Sequence, residues 1–228
     1  MAEARGPRYG RMEEAIINAA GELFDIKGFN QTSLADIAES LGVARPSLYH
    51  YFNGREQILA AGVDRLTEQR NHLIEELRGV PGDPTERLTT IVTTFGRFVV
   101  DNPAWIRVVL RDGPALPAEA SERDTASRMN FFRLLVEVIH DGIEQGHVRP
   151  VDEETAALSI VSALSSLNWQ YVANLKESPR DFTKSTADLL LHGILCVDRR
   201  GGSPLERGLD LIREGAALID RHKRGLPD

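Results

Sequence analysis

The sequence predicts an all-α protein in which a small N-terminal helical domain precedes a larger helical domain. Apolar residues recur at helical spacing in successive segments, and no segment shows the strict alternation of a half-buried strand. No fixed-period repeat indicates a solenoid. Hydrophobic residues make up 42% of the 228 residues, which is enough for a substantial core.

Charge and cysteine content narrow the class of protein. The formal net charge of -7 excludes a uniformly basic, nucleic-acid-coating protein, although a local basic patch is compatible with it. The single cysteine, Cys196, excludes an intramolecular disulfide and fits a reducing compartment. No apolar run reaches the ~18 residues of a membrane span, and no apolar secretion signal begins the chain. We therefore expect a cytoplasmic protein without a membrane segment.

The N-terminal domain begins with two helices that have clear end signals. Apolar residues within 12–27 follow helical spacing, and Gly28 ends this first helix. Ser33 and Asp36 form a capping pattern for a short second helix. Gly42 then ends the second helix and leaves a tight turn.

Two further helices complete this domain and lead out of it. The third occupies residues 45–51 and has a proline in its first turn, where proline is tolerated. Asn53 and Glu56 resemble a cap and its partner for a long fourth helix. Arg70 interrupts the apolar stripe of that helix, which is formed by Leu59, Val63, Leu66, Leu73 and Leu77.

The remainder of the chain also predicts helices. Residues 78–84, with the sequence RGVPGDP, form the first clear linker. Residues 104–110 are apolar nearly all round, so we expect this short helix to be buried. Later helices are expected near 152–175, 179–197 and 203–219. The helix before Gly146 has a predicted apolar stripe of Met129, Phe132, Val136, Ile139 and Ile143.

The second and third helices, joined by a glycine-containing turn, have the outline of a helix-turn-helix. In that motif the second of the two helices enters the major groove of DNA, so its outer face is polar. Leu48 and Phe52 share the inner side of the predicted helix at i and i+4. The side chains left to face outward are Arg45, Ser47, Tyr49 and His50.

A spaced set of residues makes this outline more specific. The set comprises Thr32, Leu34, Ile37, Ala38, Leu41, Gly42, Val43, Ser47, Leu48, Tyr49, Tyr51, Phe52 and the run from Arg55 to Leu59. At these residues the sequence resembles the TetR family of transcriptional regulators. The resemblance covers about residues 12–60, and the rest of the chain is similar only in length and helical layout. Arg55 stands where the family more often has lysine.

The resemblance implies a repressor that binds a palindromic double-stranded operator as a homodimer and is released by a small-molecule effector. Residues 1–60 would form a three-helix DNA-binding domain, and residues 61–228 the effector-binding and dimerisation domain. Thr32 and Ser33 would contact phosphates at the start of the second helix, and Arg55 another phosphate. The groove would be lined by Arg45, Ser47, Tyr49, His50 and Tyr51.

Two of these N-terminal assignments have structural alternatives. Tyr51 lies near the inner side with Phe52, so it fits the domain core as well as the groove. The N-terminal arginines Arg5, Arg8 and Arg11 suit an arm that reaches the minor groove. Charged termini are, however, commonly disordered without any partner.

Aromatic residues suggest an effector site between the C-terminal helices, where helical bundles commonly hold ligands. The candidates for binding a small, mostly apolar effector are Phe95, Phe98, Trp105, Phe132 and Trp169. Aromatic residues at helical spacing more often belong to a plain core, so this alternative stays open. An acyl or acyl-CoA effector is the second candidate, with Arg107, Arg111 and Arg128 as possible partners of its anionic group.

Residues 155–172 are rich in alanine and serine and nearly free of charge. Because a solvent-facing helix normally carries charged residues, we expect both sides of this helix to be covered. Helices near 153–175 and 179–197 therefore suit a two-fold, four-helix dimer interface. A helix buried within one subunit is the alternative.

Signals for an enzyme are weak. The chain has no glycine-rich phosphate loop, no G-x-S-x-G and no paired cysteine motif. His140 and His147 have no neighbouring cysteine to support a metal site, and Cys196 lies in an apolar stretch where thiols are usually inert. We therefore expect no catalytic residue, cofactor or metal. A helical-bundle enzyme with an unrecognised site and an adaptor without DNA binding are the competing classes, and the intact segment 45–55 disfavours the adaptor.

Overall fold

A computed structural model of the chain describes residues 7–167 and 179–195. Over these residues the chain forms α-helices and two 3₁₀ turns, Phe29–Gln31 and Gly113–Ala115, which confirms the predicted all-α class. None of the described helices is long and apolar enough to cross a membrane. The helices are α1 (Pro7–Lys27), α2 (Leu34–Ser40), α3 (Arg45–Leu48), α4 (Arg55–Arg78), α5 (Pro84–Asp101), α6 (Pro103–Asp112), α7 (Ala118–Glu144), α8 (Glu153–Ser166) and α9 (Pro179–Ile194).

Several predicted features lie outside the described residues. They include Trp169, Cys196, the arginine at position 5, the last parts of the two predicted interface helices, and the predicted helix near 203–219. The side chain of Arg8 also lies outside the described part of the chain.

The N-terminal core forms where α1, α2, α3 and the first half of α4 meet. The capping pattern predicted for α2 is present: the Asp36 N–H donates to the Ser33 side chain, and the Ser33 N–H donates to the Asp36 carboxylate. Gly42 has a φ of 64°, a left-handed conformation that glycine adopts without strain and that lets the chain turn tightly into α3. Buried side chains from each helix fill the centre, among them Phe24, Ile37, Leu48 and Leu59.

Three helix ends differ from the sequence prediction. α1 begins at Pro7 rather than near residue 12. The α-helical part of α3 ends at Leu48, and the chain continues to Phe52 as a turn in which the Phe52 N–H donates to the Leu48 carbonyl at 2.9 Å. The N-cap of α4 is Gly54 rather than Asn53, whose N–H instead donates to Gln57 Oε1 at 2.8 Å.

The C-terminal core lies between α4, α5, α7, α8 and α9. Its centre includes a stacked pair, Phe95 on α5 and Phe131 on α7, with ring centroids 3.7 Å apart. The buried stripe of α7 is rotated from the predicted one, and Met129 is exposed. Because α7 packs against α4, α5 and α8 together, its buried face is broad and includes Phe131, Leu134, Leu135, Val138, Ile139 and Gly142.

The short helix α6 joins the two cores. Val108 and Val109 on α6 are buried in the N-terminal core. Leu110 is exposed, so the prediction of a helix buried all round was wrong: α6 lies across α1 and α4 and leaves one side open. α4 runs unbroken from one core to the other, and the predicted domain boundary at residues 60 and 61 falls inside it.

Candidate nucleic-acid interface and effector site

α3 and the turn after it present polar side chains outward from an apolar base. Leu48 and Phe52 are buried, whereas Arg45, Tyr49 and His50 are exposed. Ser47 is half-buried. The separation of inner and outer side chains that the sequence indicated is therefore present, although only part of the segment is α-helical.

Arg45 and Tyr49 form a pair on this exposed surface. Arg45 Nη2 donates to Tyr49 Oη at 3.0 Å, and the Arg45 guanidinium carbon lies 5.8 Å from the centroid of the Tyr49 ring. An exposed cation–π contact contributes about 0.5–1 kcal/mol. The pair holds a positive charge and an aromatic ring together where they can meet phosphates and base edges.

Tyr9 supports this surface from α1 and was not identified from the sequence. Its hydroxyl donates to the His50 carbonyl at 3.1 Å, and its ring lies 4.4 Å from the Tyr51 ring. Tyr51 is half-buried and packs against the N-terminal core, which favours its structural alternative over groove contact. Sequence spacing does not connect positions 9 and 50, because tertiary packing brings α1 beside the turn that follows α3.

The structure revises the role predicted for Thr32. Its side chain is buried, and its hydroxyl donates to the Gly28 carbonyl at 2.9 Å and lies 3.3 Å from the Leu23 carbonyl. A phosphate contact would require this hydroxyl to leave both carbonyls. Thr32 instead holds the end of α1 against the start of α2.

Ser33 is exposed, but a carboxylate already occupies the start of α2. Asp36 accepts hydrogen bonds from Ser33 and, at 2.8 Å, from Lys27 Nζ. The hydrogen bond from Lys27, followed by those from Ser33, holds the pKa of Asp36 well below its usual range. The positive end of the α2 dipole is thus partly compensated within the chain.

Arg55 is likewise engaged inside the protein. The two N–H groups of its Nη1 are shared among the carbonyls of Phe29, Asn30 and Thr32, at 3.1, 3.0 and 3.0 Å. The guanidinium carbon also lies 4.6 Å from the centroid of the Phe29 ring. The predicted phosphate contact would compete with these bonds, so the geometry assigns Arg55 to holding the 3₁₀ turn that orients α2.

Arginines on α6 fasten the C-terminal domain to α1. Arg107 Nε donates to Asp25 Oδ1 at 2.7 Å, and Arg107 Nη2 also contacts that carboxylate. Arg111 donates to the carbonyls of Asp25, at 2.9 Å, and Phe24. Cations are favourable at the C-terminal end of a helix, where carbonyls lack partners. All three arginines suggested for an anionic effector therefore already have partners, since Arg128 contacts Asp124.

The predicted aromatic effector site is only partly assembled. Trp105 belongs to the junction of α1, α4 and α6: a methyl group added at Gly62 would lie 2.0 Å from Trp105 Cη2, and one added at Gly21 would lie 2.7 Å from its Nε1. Phe95 and Phe98 are 5.7 Å apart between ring centroids. Phe98 and Phe132 are half-buried. Helical spacing could not distinguish the junction residue Trp105 from a residue of the C-terminal core.

Buried polar side chains lie between α4 and α7. Arg70 Nη2 donates to Asp124 Oδ1 at 2.9 Å, and Arg128 Nη2 lies 3.0 Å from Asp124 Oδ2. Thr67 and Ser127 are 4% and 1% exposed, and their hydroxyls have no hydrogen-bond partner among the described residues. The one sign of these buried polar residues in the sequence was that Arg70 interrupts an apolar stripe.

α8 packs one face within the subunit and leaves another face exposed. Leu164 is buried in the C-terminal core, so one face of the helix packs within the subunit. On another face, Leu158 is 59% exposed, and Leu189 on the neighbouring α9 is 75% exposed. α8 and α9 pack against each other and leave these leucines in solvent.

The histidines considered as metal ligands have other partners. His140 Nδ1 lies 2.8 Å from Glu153 Oε1, and His147 Nδ1 lies 3.2 Å from Thr85 Oγ1. Hydrogen bonding to the Glu153 carboxylate raises the pKa of His140. In the described part of the chain, His, Cys, Asp and Glu side chains do not cluster in threes as metal ligands would.

Comparisons with known proteins agree with this architecture. Residues 16–61 match the model of bacterial regulatory proteins of the tetR family, and residues 81–194 match that of the tetracyclin repressor-like C-terminal domain. The fold and the exposed α3 surface define a helix-turn-helix protein with a separate helical domain. The chain belongs to the TetR family of transcriptional regulators, a family that is generally not enzymatic.

The individual relatives share low sequence identity with this chain. The regulator YobS of Bacillus subtilis is 28% identical over 108 residues, which are 46% of this chain and 54% of YobS. The chain spans about half the length of the curated relatives it matches. A tetR-family regulatory protein of Rhodococcus RHA1 is 25% identical with a TM-score of 0.71, over 82% of this chain and 98% of that one. FadR of Bacillus subtilis, solved with stearoyl-CoA, shares the fold at 22% identity and a TM-score of 0.59, over 79% and 98%.

Proposed function

We propose that the protein is a cytoplasmic repressor that binds a palindromic double-stranded operator as a homodimer and is released by a small, mostly apolar effector. The observation that carries this proposal is the exposed group of Arg45, Tyr49 and His50 above the buried side chains of α3. An arginine, a tyrosine and a histidine on one exposed turn of an acidic protein suit contact with the phosphates and base edges of DNA.

Some residues read the DNA sequence, and others position the residues that read it. Arg45, Ser47, Tyr49 and His50 contact the groove, and the exposed Ser33 end of α2 approaches a phosphate. Thr32, Arg55, Tyr9 and Tyr51 hold these elements at the correct angle through the internal bonds described above. Positioning residues affect all DNA sequences similarly, whereas reading residues affect the operator more than random DNA.

The dimer forms through α8 and α9, as their composition indicated. Support comes from Leu158 and Leu189, two large apolar side chains that a monomer would leave in water. Leu158→Asp and Leu189→Asp are expected to give folded monomers, and light scattering measures the mass. Leu164→Asp is the matched control that unfolds the chain, because Leu164 is buried within the subunit. A folded dimer in both surface variants would contradict this interface.

The effector acts through α4 and α6 on the exposed face formed by Arg45, Ser47, Tyr49 and His50, which we call the recognition surface. α4 is continuous between the cores, and α6 is fastened to α1 through Arg107 and Arg111. A shift of these helices in one domain therefore moves α1 and the elements packed on it. The fold likeness to FadR supports an acyl-CoA effector as the second candidate, whereas the engagement of Arg107 and Arg111 disfavours it.

The direct test is binding to the DNA upstream of the protein's own coding sequence. Fluorescence anisotropy with that DNA and with random DNA of equal length is expected to show preferential binding to the former. Specific sites are typically bound 10³–10⁷ times more tightly than random DNA. Equal affinity for both DNAs at physiological salt would contradict a sequence-specific regulator of this region.

A further inference from the structure

The interface of α4 and α7 contains four buried polar residues, and their hydrogen bonds to one another do not use all of their donors. We call Thr67, Arg70, Asp124 and Ser127 the Arg70 cluster. Thr67 lies one turn before Arg70 on α4, and Ser127 lies one turn after Asp124 on α7. Surface ion pairs flank the cluster along the same two helices, with Asp64 and Arg123 at one end and Arg78 and Glu137 at the other. The cluster is therefore enclosed by well-formed helix packing.

Hydrogen-bond donors exceed acceptors in this cluster, and a second arginine, the half-exposed Arg128, also contacts its one carboxylate. A guanidinium has five N–H donors, and the contacts of Arg70 in the described part of the chain both go to Asp124. Arg128 engages the second oxygen of the same carboxylate. Two cations thus share one anion.

The two hydroxyls of the cluster add unused donors. The Thr67 and Ser127 side chains are more than nine-tenths buried and have no partner among the described residues. The large majority of buried polar side-chain atoms have a hydrogen-bond partner. These two hydroxyls, each one turn from a member of the buried Arg70–Asp124 pair, are therefore donors that a bound acceptor could satisfy.

We propose that the Arg70 cluster binds the carboxylate of an otherwise apolar effector. A carboxylate is acceptor-only and carries one negative charge, so it complements the surplus donors beside two arginines that share one anion. Thr67 and Ser127 donate to it, and Arg70 contributes a charged donor. The buried apolar neighbours Ile74 and Phe131, on the same two helices, suit an aliphatic or aromatic body.

This inference rests on the proposed function, because it names the chemical class of the effector. It also explains how such an effector acts. The cluster lies on α4, which begins at Arg55 beside the 3₁₀ turn and carries Gly62 against Trp105. A ligand that changes the spacing of α4 and α7 at Arg70 moves the helix on which the DNA-binding domain is built.

The first arm of the test measures the full chain without ligand. Thr67→Val and Ser127→Ala each remove an unpartnered hydroxyl at nearly constant volume, so the melting temperature is expected to stay unchanged or to rise. Thr32→Val is the matched control: that hydroxyl has two carbonyl partners, so its loss lowers the melting temperature. Destabilisation by both cluster variants, equal to that of Thr32→Val, would show that the hydroxyls are already satisfied and would overturn the proposal.

The second arm measures binding. Straight-chain, branched and aromatic monocarboxylates are screened by thermal shift, each beside its primary amide. At least one acid is expected to stabilise the wild type while its amide does not. The Thr67→Val/Ser127→Ala double variant is expected to bind that acid at least about tenfold more weakly, since hydrogen bonds to charged groups are the strong ones. No stabilising acid, or an acid bound equally by the double variant, would overturn the proposal.

Binding to the upstream DNA separates this proposal from the one on which it rests. Without carboxylate, the wild type is expected to bind that DNA. If DNA binding is present but carboxylates fail, only the effector class is contradicted. If carboxylates bind and the DNA does not, the DNA-binding function fails while the site stands.

Discussion

The recognition surface of α3 and the Arg70 cluster both place arginine and hydroxyl groups beside apolar side chains, but in opposite surroundings. Arg45 and Tyr49 are exposed and pair with each other. Arg70 is 5% exposed and pairs with Asp124, which is almost completely enclosed. Water solvates the first group at little expense, whereas removing the second from water costs several kcal/mol per ion before any pairing.

Because of this difference, we expect substitutions in the two groups to change different properties of the protein. Substitutions on the recognition surface are expected to change DNA binding and leave folding intact, because solvent replaces each lost contact. Substitutions that break the buried ion pair are expected to change stability first.

Asp124→Ala is expected to destabilise the protein by about 3–5 kcal/mol, because it leaves Arg70 buried without its anion. Urea unfolding measures the change. Asp64→Ala is the matched control: Asp64 also pairs with an arginine of α7, but both side chains are partly exposed, so the expected loss is only about 0–1 kcal/mol. Equal losses for the two variants would remove the distinction between buried and exposed pairs.

Arg55→Ala is expected to destabilise the N-terminal domain by about 1.5–3 kcal/mol, through loss of its hydrogen bonds to three carbonyls. DNA affinity should fall by a similar factor on operator and random DNA, with the slope of log affinity against log salt unchanged. A slope reduced by about one for each dimer half would instead show that Arg55 neutralises a phosphate. That outcome would restore the role expected from the sequence.

Gly62→Ala is expected to destabilise the junction of the two cores by about 1–3 kcal/mol, because the new methyl group would lie 2.0 Å from Trp105. Gly10→Ala provides the control: that position is also helical, and a methyl group there meets nothing within 4 Å. Thermal unfolding should show a lower midpoint only for Gly62→Ala, with partial recovery in Gly62→Ala/Trp105→Leu. Absence of recovery would mean that Trp105 is not what opposes the methyl group.

The smallest expected effect concerns pH and the exposed pair of His140 and Glu153. Pairing raises the pKa of His140 above its ordinary value of 6.5. The stabilisation is therefore fully present below that ordinary value and is lost as the pH rises through the higher, folded pKa. The stability difference between wild type and His140→Gln should shrink as the pH is raised across this interval. In a Glu153→Gln background this pH dependence should be weaker, because Glu153 is the largest cause of the raised pKa. A dependence of unchanged size would assign it to another group.

Short-range features of the fold were predictable from sequence, and long-range polar pairs were not. The cap of α2 and the inner positions Leu48 and Phe52 follow from periods of three and four residues. Arg107 and Asp25 are 82 positions apart, and Arg70 and Asp124 are 54 apart. Packing of whole helices decides such pairs, and a sequence period carries no information about it.

The same limit applies to the candidate site. The outward set on α3 follows from helix geometry, but the internal roles of Thr32 and Arg55 depend on a 3₁₀ turn whose carbonyls they satisfy. Trp105 was assigned to the C-terminal domain because helical spacing identifies an apolar face without identifying the core that receives it. Trp169 lies outside the described residues, so its assignment stays a prediction.

The central claim is that the exposed face after α3 reads DNA sequence, and the most direct measurement is anisotropy with wild type, Tyr49→Phe and Tyr49→Ala on operator and random DNA near pH 8. We expect Tyr49→Ala to lose roughly 1–3 kcal/mol on the operator and far less on random DNA, with its unfolding midpoint unchanged. Tyr49→Phe keeps the ring and isolates the hydroxyl that Arg45 contacts. Equal losses on both DNAs, or no loss on the operator, would contradict sequence reading by this surface.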